Sequence, residues 1–188
     1  MLFVSTGGHQ LKVTAVTGMP GSGKEEFVKV AMEEGIFVLR MGDVVREYVK
    51  GQGLELTDEN VRRVANEERE RHGFGIWAER TVPLVKGDRV LIDGIRGGAE
   101  LEVFMRAFGR DIVIIGIHCS PKTRYERIVQ RNRRDATMTW NAFEERDRRE
   151  LGWCIGNALA LCDHMIINEG SLADFRNSVK EILRTIYT

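Results

Sequence analysis

A strand running straight into Gly18-Met19-Pro20-Gly21-Ser22-Gly23-Lys24 constrains this chain more than any other feature. The run Lys12–Thr17 before it is rich in β-branched residues, and Lys24 opens a helical stretch. Glycines at these spacings let successive backbone N–H groups point inward at phosphate oxygens, and the following helix adds its positive N-terminus. Lys24 supplies a mobile point charge for β- and γ-phosphates. The bland alternative is a glycine-rich turn with a surface lysine; a strand before it and a helix after it argue against that. Gly18, Met19, Pro20, Gly21, Ser22, Gly23 and Lys24 are therefore expected to hold ATP. The Ser or Thr that usually follows the lysine to hold Mg²⁺ is missing, and Glu25 and Glu26 stand there instead. A carboxylate beside a triphosphate repels it unless a cation lies between them. Either water and phosphate hold the Mg²⁺, or a glutamate reaches it, or binding is weakened.

Further runs at Ile36–Met41, Arg89–Asp93, Ile112–His118 and His164–Asn168 are near-continuous and apolar, as in strands buried on both faces of a parallel sheet. Helical stretches alternate with them: Lys24–Glu34, Asp43–Lys50, Asp58–Arg71, Ile76–Val85, Ala99–Ala107, Lys122–Arg131, Trp140–Ala160 and Ser171–Ile186. The pattern predicts a three-layer α/β/α P-loop NTPase fold with a five-stranded parallel sheet. Ligands in such sheets gather at the carboxyl ends of strands, where the glycine-rich loop, Gly42-Asp43 and Asp93-Gly94 all fall. The 188 residues show no repeat, low-complexity tract or linker, so residues 1–188 read as one domain. Residues 1–10 stand apart from the pattern, as an added strand or a leader.

The formal net charge is zero, so only a local patch could favour nucleic acid or an anionic membrane. No apolar run approaches the ~20 residues of a bilayer span. Cys119, Cys154 and Cys162 form neither a disulfide framework nor a zinc motif; they read as small core residues in a reducing, cytoplasmic compartment. The four histidines show no ligand spacing. Trp77, Trp140 and Trp153 read as packing residues.

Asp43 suits a helix N-cap with Arg46 one turn inside. Asp93 closes the third strand, where a carboxylate can hold Mg²⁺ through water; the bland reading of Asp93-Gly94 is a turn. Arg124, Arg127, Arg131, Arg133 and Arg134 form the densest basic cluster, with Arg127 and Arg131 on one helix face. Its alternatives are a solvated face partnered by Glu126, Glu144, Glu145 and Asp147, or an RNA-contacting patch. Thr57 and Ser171 read as N-caps of the helices after them.

Gly-x-Pro-Gly-x-Gly-Lys, Gly42-Asp43-x-x-Arg46, Asp93-Gly94-x-Arg96 and Arg127-x-x-x-Arg131 occur in that order. Across residues 11 to 180 this resembles the nucleoside monophosphate kinase family, most closely adenylate kinase and an archaeal adenylate-kinase-related group, and is similar to dephospho-coenzyme A kinases. The resemblance implies ATP as donor, Mg²⁺, and AMP as acceptor. It implies that residues 43–86 form an acceptor arm in which Asp43, Arg46 and Arg96 bind the acceptor phosphate. It implies that residues 127–148 form a short lid, where Arg127, Arg131, Arg133 and Arg146 join Lys24 in offsetting charge during transfer. The lid contains no cysteine or histidine, which excludes a zinc-bound lid. Asn168 and Gly170 would pass the donor base. Adenylate kinases have Gly-Thr where Glu25-Glu26 stand, so Glu26 is the real departure. Two competing readings remain. One is a kinase of a hydroxyl acceptor such as dephospho-coenzyme A, with Asp43 as base. The other is a nucleotide-binding switch or RNA-associated ATPase with little transferase activity. The oligomeric state stays open.

Overall fold

The computed structural model describes residues 11–131 and 138–187. Residues 1–10, and Arg133 and Arg134 of the basic cluster, lie outside them. Five strands form one sheet: β1 (Lys12–Gly18), β2 (Phe37–Arg40), β3 (Arg89–Asp93), β4 (Ile112–His118) and β5 (His164–Ile167). All neighbouring pairs are parallel, in the order β2-β3-β1-β4-β5. The helices are α1 (Lys24–Glu33), α2 (Met41–Gly51), α3 (Asp58–His72), α4 (Ile76–Thr81), α5 (Gly98–Phe108), α6 (Pro121–Arg131), α7 (Trp140–Gly152), α8 (Ile155–Ala160) and α9 (Leu172–Tyr187).

Strand side chains alternate between faces, so each face of the sheet has its own core. Val13, Ala15, Val90, Ile92, Ile112 and Ile114 pack on α2, α4, α5 and α8 through residues such as Val45, Trp77, Phe104 and Ala158. Val16, Leu91, Ile115, Ile117 and Ile166 pack on α1 and α9. In α9 the buried residues Phe175, Val179, Leu183 and Ile186 recur at helical spacing, which fixes the face it presents. The fold is three-layer α/β/α.

Thr57 caps α3 by accepting the Asn60 N–H at 3.1 Å, and Ser171 accepts the Asp174 N–H at 3.1 Å. Other boundaries differ from expectation. The helix after β2 starts at Met41, so Asp43 lies in its first turn and does not cap it. There its carboxylate faces the positive helix end and accepts from Arg46 at 2.8 Å. The helix from Ile76 stops at Thr81 and tightens into a 3₁₀ turn, Val82–Leu84, where Pro83 has no N–H to continue it. The stretch 140–160 is two helices, because Cys154 adopts a left-handed conformation (φ 64°) between them. Cys154 is exposed and Cys162 half-buried, so only Cys119 is a core cysteine as expected.

Candidate functional site: a phosphate loop facing an arginine-lined cavity

β1 lies at the centre of the sheet, so its carboxyl end opens between β3 and β4, where the chain must turn into α1. Gly21 (φ 83°) and Gly23 (φ 115°) supply the left-handed turns that any other residue would resist. A Cβ on Gly23 would also collide with the Asn168 amide. That amide donates to the Ser22 carbonyl at 2.8 Å, which pins the loop to the end of β5. The Ser22 hydroxyl is buried with no hydrogen-bond partner among the described residues.

Arg124 pins the loop from the other side. The side chain is 3% exposed. Its Nε donates to the Cys119 carbonyl at 3.1 Å, and Nη1 donates to the Pro20 carbonyl at 3.1 Å. The same guanidinium meets both oxygens of Asp147 on α7, at 2.9 and 2.5 Å. Arg124 was visible in the sequence only as one member of a basic run. Its partner lies 23 residues away, and no local spacing announces the pair.

Beyond the loop lies a cavity of about 820 Å³. Gly18, Pro20, Gly21, Gly23, Lys24 and Glu25 form one wall; Arg46 and Arg62 from α2 and α3, Asp93 and Arg96 at and after the end of β3, and Arg131 and Arg146 from α6 and α7 form the others. Arg40, Arg69, Asp58, Glu100 and Glu150 also reach it. Among the described residues, eight cationic side chains thus face five carboxylates. Lys24 donates from Nζ to the Gly18 and Met19 carbonyls. Burial lowers its pKa to about 8, against the pull of Asp93 and Glu150. Asp93 stands level with Val16 on one side and Arg40 on the other. Burial raises its pKa, and Lys24 and Arg40 oppose that rise. Among the described residues no cluster of three or more His, Cys, Asp or Glu side chains could hold a metal ion.

Other expected site residues sit elsewhere. Glu26 turns away to Arg176 on α9, with Lys29 at 3.5 Å. Glu25 stays at the cavity, paired with Arg40 at 3.0 Å. Arg127 donates to the Asn168 carbonyl at 3.1 Å and to its side-chain oxygen at 3.3 Å, so it braces the loop after β5. Asn168 is buried and spends its amide on Ser22, Gly170 is exposed in the turn after β5, and Asp43 is exposed on α2. Met19, Ser22, Glu26, Asp43, Arg127, Asn168 and Gly170 all lie outside the cavity lining. Arg133 lies outside the described residues.

A protein family described as an AAA domain matches residues 15–151. The chain is similar to a UPF0200 protein of Hyperthermus butylicus, with 44% identity over 181 residues, 95% of this chain and 96% of the relative. It is also similar to a UPF0200 protein of Thermoplasma volcanium, with 43% identity over 169 residues, 89% of this chain and 94% of the relative. Three solved structures share its fold. A gluconokinase from Sinorhizobium meliloti superposes with TM-score 0.58 and 15% identity over 95% of each chain. A shikimate kinase from Acinetobacter baumannii, in complex with shikimate, gives 0.58 and 16% over 94% of this chain and 93% of that one. A dephospho-CoA kinase from Campylobacter jejuni gives 0.53 and 15% over 93% and 97%. At these identities the likeness is one of fold alone. No helix among the described residues is long and apolar enough to cross a membrane.

Proposed function

We propose a function from one premise: the chain belongs to the UPF0200 family, and its AAA domain has a kinase-like P-loop fold. The protein transfers the terminal phosphoryl group of ATP to an acceptor that already carries a phosphate, a nucleoside monophosphate such as AMP. The carrying observation is the excess of cationic over anionic side chains around one cavity that opens on the phosphate loop. An acceptor phosphate is already ionised near neutral pH, so no base is required, and positioning with electrostatics does the work.

ATP would lie against the loop, where Gly21 and Gly23 take left-handed turns and the Ser22 hydroxyl is buried with no partner among the described residues. ATP would supply the transferable phosphoryl group, and Mg²⁺ bound with it would neutralise part of the triphosphate charge. Lys24 leaves the Gly18 and Met19 carbonyls for the phosphates, and its pKa rises again as it does so. Arg131 and Arg146 offset the charge that spreads during transfer. Arg46 exchanges Asp43, and Arg96 exchanges the Glu150 carboxylate 4.0 Å away, for the acceptor phosphate. Asp93 would hold Mg²⁺ through water. In this reading residues 1–188 work as one domain, with residues 43–86 as acceptor arm and 127–148 as lid.

A second reading is favoured by the names of the solved relatives, a gluconokinase, a shikimate kinase and a dephospho-CoA kinase. It is transfer to a hydroxyl. Asp43, the base expected for it, is exposed and tied to Arg46; Asp93, half-buried at the cavity, is the better-placed carboxylate. Steady-state kinetics of Arg96→Ala separate the two readings. Loss of a charge-assisted contact of about 1.5–3 kcal/mol raises the acceptor KM roughly 10- to 150-fold and leaves the ATP KM in place. An unchanged KM for every monophosphate turned over contradicts the proposal.

A further inference from the structure

A second cavity, of about 260 Å³, adjoins the first behind the start of α5. Arg69, Arg96, Glu100 and Trp153 line both, so they form the partition. The Trp153 ring holds the partition together: the Arg69 and Arg96 guanidinium carbons lie 5.8 and 5.2 Å from its centre. Any group held by these arginines on one side has its neighbouring atoms within reach of the other.

The walls of the small cavity say what it would accept. Phe74 lines it while remaining 60% exposed, an aromatic face with little covering it. Two arginines are balanced there by Glu100 and Glu102, so it offers no excess charge for a second anion. Asn157 adds one amide that can both donate and accept. The volume falls just short of the ~300–1,000 Å³ of sites that enclose whole drug-sized ligands, which suits one part of a larger molecule. The far wall is held at a conformational cost. Cys154 is the only non-glycine residue with positive φ among those described, and strain of this kind clusters at ligand sites. Gly97 permits the approach, since a Cβ there would collide with the Trp153 carbonyl.

We propose that this chamber is a subsite for an uncharged heteroaromatic ring of the acceptor, which stacks on Phe74 and turns its polar edge to Asn157. The proposal rests on the reading of the main cavity as the site of an anionic acceptor. It places the acceptor's anion at the arginine partition and its ring outside the main cavity.

Cys154 lines the chamber and reports its occupancy. In the full-length Cys162→Ala variant, N-ethylmaleimide modification of Cys154 is followed with AMP, GMP, CMP, UMP, adenosine or inorganic phosphate as probe. Cys119 is buried and stays silent. At least one ring-bearing probe is expected to slow modification about tenfold, and inorganic phosphate is expected to leave it unchanged. Phe74→Ala, at an exposed position, is expected to raise the half-protecting concentration about threefold to tenfold, the range for one aromatic contact. Absence of protection by every ring-bearing probe overturns the proposal, as does equal protection by phosphate or an unchanged Phe74→Ala variant. Transfer is scored separately, as nucleoside diphosphate formed. Turnover without protection therefore removes the subsite alone, and protection without turnover removes the kinase reading alone.

Discussion

Replacing Asp147 by alanine isolates the contact that ties α7 to the phosphate loop. In the native protein the Asp147 carboxylate, 15% exposed, meets a guanidinium that is 3% exposed. Its loss leaves Arg124 buried beside Phe143, 4.9 Å from the ring centre, without a counter-charge. Removing one partner from a buried pair costs about 3–5 kcal/mol, because the remaining charge is left without compensation. For a chain of this size each kcal/mol moves Tm by about 2–4 °C, so Asp147→Ala should unfold about 6–20 °C lower. Circular dichroism during heating measures that shift. The same change frees Arg124 from its bidentate grip and loosens its hold on the Pro20 carbonyl, so ATP affinity measured by calorimetry should fall in parallel. A Tm within about 3 °C of the native value would refute the reasoning, since a drop that small is what an exposed ion pair gives.

Four further outcomes follow from the loop. Lys24 titrates near pH 8 in the nucleotide-free protein, and bound phosphate favours its charged form, so ATP binding above pH 8 should take up protons and weaken as pH rises. Calorimetry in buffers of different ionisation enthalpy measures that uptake, and proton release would contradict it. The same depressed pKa means that the unfolded chain binds more protons between about 8 and 10.5, so this group makes stability rise with pH across that window. Asn168→Ala leaves the buried Ser22 carbonyl without its donor, at a cost of about 1–3 kcal/mol measurable by urea unfolding, and raises the ATP KM. Glu26→Ala should change ATP affinity less than about threefold, because the Glu26 carboxylate is on Arg176 and away from the phosphates; a gain of tenfold or more in calorimetry would show that it repels the nucleotide after all.

The strands, their parallel pairing and the phosphate loop were legible because each is a local pattern: an apolar run, a turn of glycines, a helix start. What stayed hidden depends on partners distant in the chain. Glu26 looked like an obstacle to phosphate until α9, 150 residues on, brought Arg176 to it. Arg124 could not be told from Arg127, yet one holds Pro20 and the other braces Asn168. The break at Cys154 falls between Gly152 and Gly156, glycines that the reading of 140–160 as one helix passed over, and Trp153 beside it seats against Arg69 and Arg96. Asp43 has the right chemistry for a cap but sits two residues inside α2, because β2 runs into the helix with no connecting loop.

Phosphorus NMR of the protein mixed with ATP, Mg²⁺ and AMP tests the central claim most directly. The account predicts that the γ-phosphate of ATP disappears as the α- and β-phosphates of ADP appear from both substrates, with little free phosphate released. Nucleotide that binds and yields only inorganic phosphate, or that stays intact beside every nucleoside monophosphate, would contradict it.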